Sequence, residues 1–237
     1  MTLKRACNLS GGINQTGLRA YNERLLISVL QRNGAMAGVE LARRTGLSSQ
    51  TTSVILRKLE RDGFLRRCDP LKGSVKFGKP SVPFDFDPDC VFSLGLKVGR
   101  RSADLLVLDL KGGVRKQLRQ TYNYPMPDNI FSFLVDGYAT LKAELPDKTW
   151  ARLCGLGIAA PFELWNWHEL AGAPASDFAA WRRVSFQDEA AQITNLPVDV
   201  VNDATAACRA EHVFGRRLNF RDYVYFLLGH LSGRNCA

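Results

Sequence analysis

Apolar residues in the first third of the chain recur every three or four positions, which predicts a series of short helices. The first is expected over residues 21–33 with its stop at Gly34, and the second around residues 39–42 with its stop at Gly46. The third is expected from the N-cap Ser48 through Arg61, with an apolar face turned inward and a polar face turned outward. This succession predicts a helix-turn-helix, whose last helix enters the major groove of DNA.

Polar side chains occupy the outward face of the third helix, and cations follow it along the chain. Gln50 suits the edge of an adenine, Arg57 suits guanine or a phosphate, and the N-terminus of the helix favours a phosphate. Two short strands that carry cations, residues 64–67 and 74–76, predict a wing around a turn. Lys79, between a glycine and a proline, suits a narrow minor groove. The candidate DNA-contacting residues are Ser48, Ser49, Gln50, Ser53, Arg57, Arg66, Arg67, Lys76 and Lys79.

Positive charge is concentrated in this first third of the chain. Residues 1–83 hold 15 Lys and Arg against 5 Asp and Glu, whereas residues 84–237 hold 17 against 18. A basic module joined to a neutral one predicts a unit that binds a polyanion and a body with another task. Two alternatives remain open, namely a solvated basic face and a three-helix bundle whose outer face is merely polar.

Prolines and aspartates over residues 83–89 predict the end of the basic module and a linker. Beyond it, apolar alternation predicts strands, helical spacing predicts helices, and the first three strands form an antiparallel meander. The expected strands cover residues 91–98, 103–110, 114–124, 153–160, 198–201 and 223–228, and the expected helices cover residues 129–145, 177–193 and 204–214. The predicted fold class is therefore α/β, or α+β when both parts of the chain are considered.

The rest of the composition narrows the class of protein. With 46% apolar and 23% charged residues, the chain is typical of folded globular proteins. No apolar run reaches the roughly 18 residues of a membrane span, and the N-terminus has no signal-peptide core, so we expect a cytoplasmic protein. The six cysteines show neither a C-x-x-C pair nor a His at zinc-ligand spacing. We expect reduced thiols without a metal, with Cys154 and Cys208 in the core.

Several stretches of the chain resemble the ROK family, which comprises bacterial repressors, open reading frames and sugar kinases. These stretches are G-G-I-N-Q-T-G-L-R-A-Y-N-E-R-L-L at 11–26, G-L-S-S-Q-T-T-S-V-I-L-R-K-L-E-R-D-G-F-L at 46–65, G-K-P-S-V-P at 78–83, G-L-G-I-A-A-P at 155–161 and V-N-D-A-T-A-A-C-R-A-E at 201–211. The resemblance implies a winged helix-turn-helix DNA-binding domain with linker over residues 1–85. Over residues 90–237 it implies a partial sugar-binding domain, one lobe of an actin-like, ribonuclease-H-like ATPase-type fold. Lys79 stands where the family linker usually has Arg, which keeps the charge.

The function implied by this resemblance is that of a DNA-binding transcriptional regulator similar to sugar-responsive repressors. Its partners would be a double-stranded operator, read by a dimer at half-sites about 10 base pairs or a multiple apart, and a small sugar. Intact relatives are expected to be homo-oligomers. Asn202 and Asp203 match the family's asparagine-aspartate-alanine motif and are the candidate sugar contacts. The residues alone leave open the alternative that the pair caps the helix that follows.

Three departures from the family argue against catalysis. Lys97 stands where the kinase phosphate motif has an acid, and Arg100 and Arg101 stand where it has small residues. No zinc motif follows Asp203, and the polar tail after residue 228 indicates an early end that we expect to impair sensing. We therefore expect no catalytic residue, no cofactor and no metal. A sugar kinase of this family and a non-functional repressor remnant are the alternatives.

Overall fold

The chain divides into two units, Met1–Asp87 and Pro88–Ala237. The computed structural model describes residues 15–69, 82–166 and 178–215 of the chain. The described elements of the first unit are α1 Gln15–Asn33, β1 Met36–Ala37, α2 Gly38–Thr45, α3 Ser49–Arg61, β2 Leu65–Arg67 and β3 Pro83–Phe86. The predicted ends of α2 and α3 are confirmed, whereas α1 begins six residues before the predicted start.

Leucines from three helices form the core of the first unit. Leu26 of α1, Leu41 of α2, and Leu56 and Leu59 of α3 are each at most 4% exposed. These residues recur at helical spacing, so each helix presents one apolar face to the others. Their burial fixes the rotation of α3 about its axis and therefore decides which of its side chains face outward.

A three-stranded antiparallel sheet completes the first unit, in the order β1-β3-β2. Leu65 of β2 stands opposite Phe86 of β3, and both side chains are buried. The linker expected over residues 83–89 is therefore wrong for residues 83–86, which form the middle strand of this sheet. Pro83 is compatible with a strand because it occupies the first position. The predicted wing strand at residues 74–76 lies outside the described residues.

The second unit contains a five-stranded sheet packed against helices. Its described elements are β4 Phe92–Val98, β5 Ser102–Asp109, β6 Val114–Thr121, α4 Pro127–Glu144, α5 Asp147–Trp150, β7 Leu153–Ala160, α6 Phe186–Thr194, β8 Val198–Asn202 and α7 Asp203–Phe214, with 3-10 turns at Pro88–Cys90, Leu164–Asn166 and Ala179–Arg183. The predicted strand at residues 223–228 lies outside the described residues.

Strand order in this sheet is β6-β5-β4-β7-β8. The first three strands form the predicted antiparallel meander, and β7 and β8 join it in parallel to β4. Alternate strand residues such as Leu94, Leu105 and Ile158 pack with Leu134 of α4 in one buried cluster. This order and packing confirm the predicted α/β class with an actin-like, ribonuclease-H-like lobe.

The helix predicted over residues 177–193 is wrong in part, because the chain breaks in the middle of that range. A 3-10 turn spans Ala179–Arg183, and α6 starts afresh at Phe186. Between them Ser185 is extended, and its Oγ accepts a hydrogen bond from the Asp188 backbone N–H at 3.2 Å. Ser185 therefore acts as an N-cap, which favours a new start over a continuous helix.

The expected core position of Cys154 is also wrong, since this residue is exposed. The register between β4 and β7 shifts so that Phe92 pairs with Leu153 while Leu94 pairs with Leu156. This irregularity inserts an extra residue into β7 between Leu153 and Leu156, the stretch that contains Cys154. Cys208 of α7 is partly exposed rather than fully buried.

Candidate functional site

The start of α3 is held by a side-chain cap at the turn that follows α2. Gly46 ends α2 with a φ of 71°, a left-handed conformation that glycine adopts without strain. Two residues later Ser48 Oγ accepts a hydrogen bond from the Thr51 backbone N–H at 3.1 Å and contacts the Thr51 hydroxyl at 2.9 Å. The predicted N-cap is therefore confirmed. Ser49 and Gln50 lie exposed in the first turn, where helix N–H groups favour an anion.

The outward face of α3 is the one predicted from the sequence. Thr52, Ile55, Leu56 and Leu59 are buried, which leaves the opposite side of the helix to solvent. The exposed residues of α3 are Ser49, Gln50, Ser53, Val54, Arg57 and Arg61. The structure thus brings together five predicted DNA-contacting residues, Ser48, Ser49, Gln50, Ser53 and Arg57, along one helix.

Arg57 follows the helix surface in the free protein. Its Nε donates a hydrogen bond to the Ser53 carbonyl oxygen at 3.2 Å. Within the described residues no carboxylate forms an ion pair with it. The guanidinium therefore keeps donors for another acceptor, because one backbone contact uses only one of its five N–H groups.

Arg67, one of the predicted DNA contacts, already forms an ion pair and a cation–π contact within the first unit. Its Nε and Nη2 contact the two carboxylate oxygens of Glu60 at 2.8 and 3.2 Å, and its guanidinium carbon lies 5.3 Å from the centre of the Phe84 ring. The hydrogen bonds from Arg67 lower the pKa of Glu60 and raise the pKa of Arg67. Arg66, its neighbour on β2, is exposed. The other two predicted contacts, Lys76 and Lys79, lie outside the described residues.

Two arginines on α2 are candidates that the sequence analysis missed. Arg43 Nη2 and Arg44 Nε contact the same oxygen of Glu40 at 2.7 and 2.6 Å, and all three residues lie on the surface of the unit. The Asn33 side-chain oxygen accepts a further hydrogen bond from Arg44. The hydrogen bonds from Arg43 and Arg44 lower the pKa of Glu40 to about 2. The signal in the sequence is Glu40 followed three and four residues later by a cation.

The strand-end pair Asn202–Asp203 caps α7. Asn202 Oδ1 accepts hydrogen bonds from the backbone N–H groups of Ala204 and Thr205 at 3.1 and 3.3 Å, and Asp203 Oδ1 accepts one from Ala204 at 2.9 Å. This geometry confirms the capping alternative. Asn202 also ends β8 at the carboxyl edge of the parallel strands, the edge where open α/β sheets bind ligands.

Lys97 reaches the same edge of the sheet from β4. It is exposed and pairs in register with Ala159 of β7, which in turn pairs with Val201 of β8. The Lys97 cation therefore lies on the strand next to β7, and β7 separates it from β8, which ends at the Asn202–Asp203 pair. Lysine is a donor without acceptor capacity, so its ammonium is suited to an anion or a hydroxyl oxygen and not to a metal ion.

The part of the chain that the structure describes holds neither a membrane-spanning helix nor a cluster of metal ligands. None of the helices in residues 15–69, 82–166 and 178–215 is long and apolar enough to cross a bilayer. Over the same ranges no three His, Cys, Asp or Glu side chains are grouped as metal ligands.

Family comparisons match both units. Residues 19–66 match a winged helix-turn-helix DNA-binding family, and residues 93–233 match the ROK family. The xylose repressors of Bacillus subtilis (strain 168) and Bacillus spizizenii are each 23% identical over 212 residues, which cover 90% of this chain and 54% of each repressor. The chain thus spans about half the length of these curated relatives.

One solved structure supports the fold. A ROK family transcriptional regulator, described as a homologue of the E. coli MLC protein, superposes with a TM-score of 0.53 at 18% identity. The superposition covers 83% of this chain and 48% of that chain. At this identity the likeness concerns the fold alone.

Proposed function

Because the chain belongs to the ROK family, we propose that it is a transcriptional regulator whose first unit binds an operator in duplex DNA. The observation that supports this most strongly is the outward face of α3, where polar and cationic side chains project from a capped helix. An exposed helix of this kind fits the major groove. A protein that binds an operator acts where the DNA is, so we assign it to the cytoplasm.

In this proposal the bases are read by the outward face of α3, from Gln50 to Arg57. Gln50 offers both a donor and an acceptor, the combination that adenine presents in the major groove. Arg57, about two turns further along the helix, offers paired donors to guanine or to a phosphate. Ser53 lies between them and suits either base edge or backbone. These roles differ in what they contribute, since base contacts give sequence preference and phosphate contacts give affinity.

Backbone contacts are assigned to the surrounding cations. Residues 15–69 carry ten Lys and Arg against five Asp and Glu, so the described part of this unit has a positive excess. We assign phosphate contacts to the helix N-terminus at Ser48 and Ser49, to Arg66 and Arg67 on β2, and to Lys76 and Lys79. Arg43 and Arg44 join this set. Each phosphate neutralised steepens the dependence of affinity on salt concentration.

The second unit is proposed as a sugar-responsive body, by analogy with relatives named xylose repressors. Asn202 and Asp203 would contact sugar hydroxyls with the polar atoms that do not serve the cap. A change of conformation on sugar binding would alter operator affinity through a coupling free energy. Operator binding by a homodimer is part of the same proposal, as is the absence of enzymatic activity.

Phosphoryl transfer is the competing function, and Lys97 favours the regulator over it. A kinase needs a carboxylate to hold Mg²⁺ beside the phosphates, and a cation at the end of β4 repels the metal instead. Incubation of the purified chain with ATP and a panel of sugars in a coupled assay should give no turnover. Robust turnover with any sugar would reject the assignment as a regulator without catalysis.

The test of DNA binding is selection from a random duplex pool, followed by affinity measurement across a salt series. We expect an enriched sequence, bound more tightly than a scrambled duplex, with affinity that falls steeply as salt rises. The double variant Gln50→Ala, Arg57→Ala should lose the preference and keep salt-dependent binding. The matched control is Arg183→Ala, Gln192→Ala, which removes the same chemistry from exposed positions of the second unit.

The outcome that rejects the proposal is equally definite. If no sequence is enriched, or if enriched and scrambled duplexes bind equally, the chain does not read an operator. If the control double variant loses the preference as fully as the α3 variant, the preference does not arise from α3.

A further inference from the structure

One apolar side chain lies among the polar groups on the exposed side of α3. Val54 is 47% exposed, while the other exposed residues of that helix are Ser, Gln or Arg. At 100° per residue, Val54 lies about 40° around the helix axis from Gln50 and about 60° from Arg57. It therefore sits on the same face as the two side chains to which base contacts are assigned.

Burial in the protein does not explain this valine. The inward face of α3 is centred on Ile55, Leu56 and Leu59, and Val54 lies on the other side of the helix axis. Its flank borders an open groove of about 420 Å³, whose walls also carry Leu18 of α1 and the side chain of Gln50. Nearly half of Val54 is exposed to solvent, and branching at Cβ restricts the orientation of its two methyl groups.

The major groove presents one apolar group, the 5-methyl of thymine. We propose that Val54 contacts the 5-methyl group of an operator thymine and is a specificity-determining residue. This inference rests on the proposed function. Four residues of helix separate Gln50 from Val54 by about 6 Å along the axis, which corresponds to about two base pairs at 3.4 Å each. The thymine therefore lies within two base pairs of the adenine that Gln50 reads.

The expected effect is that of one buried methyl group, about a fourfold change in affinity for each half-site contact. The methyl can be removed from the DNA as well as from the protein, because deoxyuridine differs from thymidine at this group. Within one half-site, loss of the contact from the DNA or from the protein should give the same result, and loss from both should not be additive.

The experiment uses the full chain and the duplex enriched from the random pool. Each thymidine of a half-site is replaced in turn by deoxyuridine, and the dissociation constant is measured by fluorescence anisotropy at one salt concentration. The wild-type protein should lose about fourfold affinity at one thymine per half-site. Val54→Ala should be insensitive to that replacement. It should bind the original duplex about sixteenfold more weakly, because a dimer loses the contact in both half-sites.

A matched control is Val114→Ala, which shortens an exposed valine of the second unit. It should retain the full response to deoxyuridine. The inference is overturned if wild-type affinity is indifferent to every replacement, or if Val54→Ala keeps the wild-type response. Both of those results leave the operator-binding function standing, whereas failure to enrich any duplex rejects that function and this inference with it.

Discussion

Removal of the Ser48 hydroxyl tests how the start of α3 is held. The substitution Ser48→Ala deletes one hydrogen bond of 3.1 Å from the Thr51 N–H and one hydroxyl contact of 2.9 Å, both near solvent. Loss of an N-cap of this type costs about 1 kcal/mol. That free energy corresponds to about a fivefold increase in local opening, since 1.4 kcal/mol is a factor of ten. We expect amide hydrogen exchange in the first turn of α3 to become about fivefold faster.

The second unit supplies an internal control for this measurement. Ser185 caps α6 in the same way, with its Oγ accepting from the Asp188 N–H at 3.2 Å. Ser185→Ala should speed exchange at the start of α6 and leave α3 unchanged, and Ser48→Ala should do the reverse. Ser48→Asp should restore protection, because aspartate is also a good N-cap. Unchanged exchange in Ser48→Ala, or equal acceleration in both helices, would refute the argument that this bond fixes α3 locally.

Three further substitutions probe the core, an ion pair and the strand-end pair. Leu59→Ala should destabilise the first unit by about 2–5 kcal/mol because Leu59 is 4% exposed. Leu18→Ala, at an exposed position, should change the stability by less than about 0.5 kcal/mol. Denaturant unfolding midpoints measure both changes, and similar losses would contradict the assignment of Leu59 to the core. Glu40 has a folded pKa of about 2, below its ordinary value of 4.5, so its stabilising contribution is present above pH 4.5 and lost as the pH falls towards 2. The stability difference between wild type and Glu40→Gln should therefore shrink over that pH range, and a difference that persists at pH 2 would disprove the cause given for the pKa. Asn202→Ala should speed exchange at the start of α7 by about fivefold, corresponding to about 1 kcal/mol, while Asn202→Asp should not, and equal effects would argue against the cap.

Local sequence signals predicted those features of the fold that depend on residues close together in the chain. The ends of α2 and α3 follow from Gly46, Ser48 and the Asp-Gly turn after Arg61, each of which acts within a few positions. The alternation of β4 and β7 reflects the burial of one face of the sheet. The cap at Asn202 was foreseen as an alternative because its residue type and position are the local requirement.

Features that depend on pairing between residues far apart in the sequence could not be predicted from local signals. The strand Pro83–Phe86 is defined by its pairing with the strands of Leu65 and Met36, which are far away in the sequence. The prolines and aspartates of residues 83–89 therefore indicated a linker. The exposure of Cys154 depends on a shift in register against β4, which no periodicity within β7 reveals. The ion pair between Arg67 and Glu60 likewise joins a strand to a helix.

The order of strands in the first unit has a practical consequence for dissecting the molecule. The strand with two partners, β3, is the last to be synthesised, and only Asp87 separates it from the second unit. A fragment that ends before residue 83 would lack β3, so β1 and β2 would lose the strand that pairs with their backbone N–H and C=O groups. A fragment that stops at residue 85 would lack Phe86, the buried residue that pairs with Leu65 in this sheet. A fragment designed to fold as the first unit alone must therefore include all of β3 and end no earlier than Asp87.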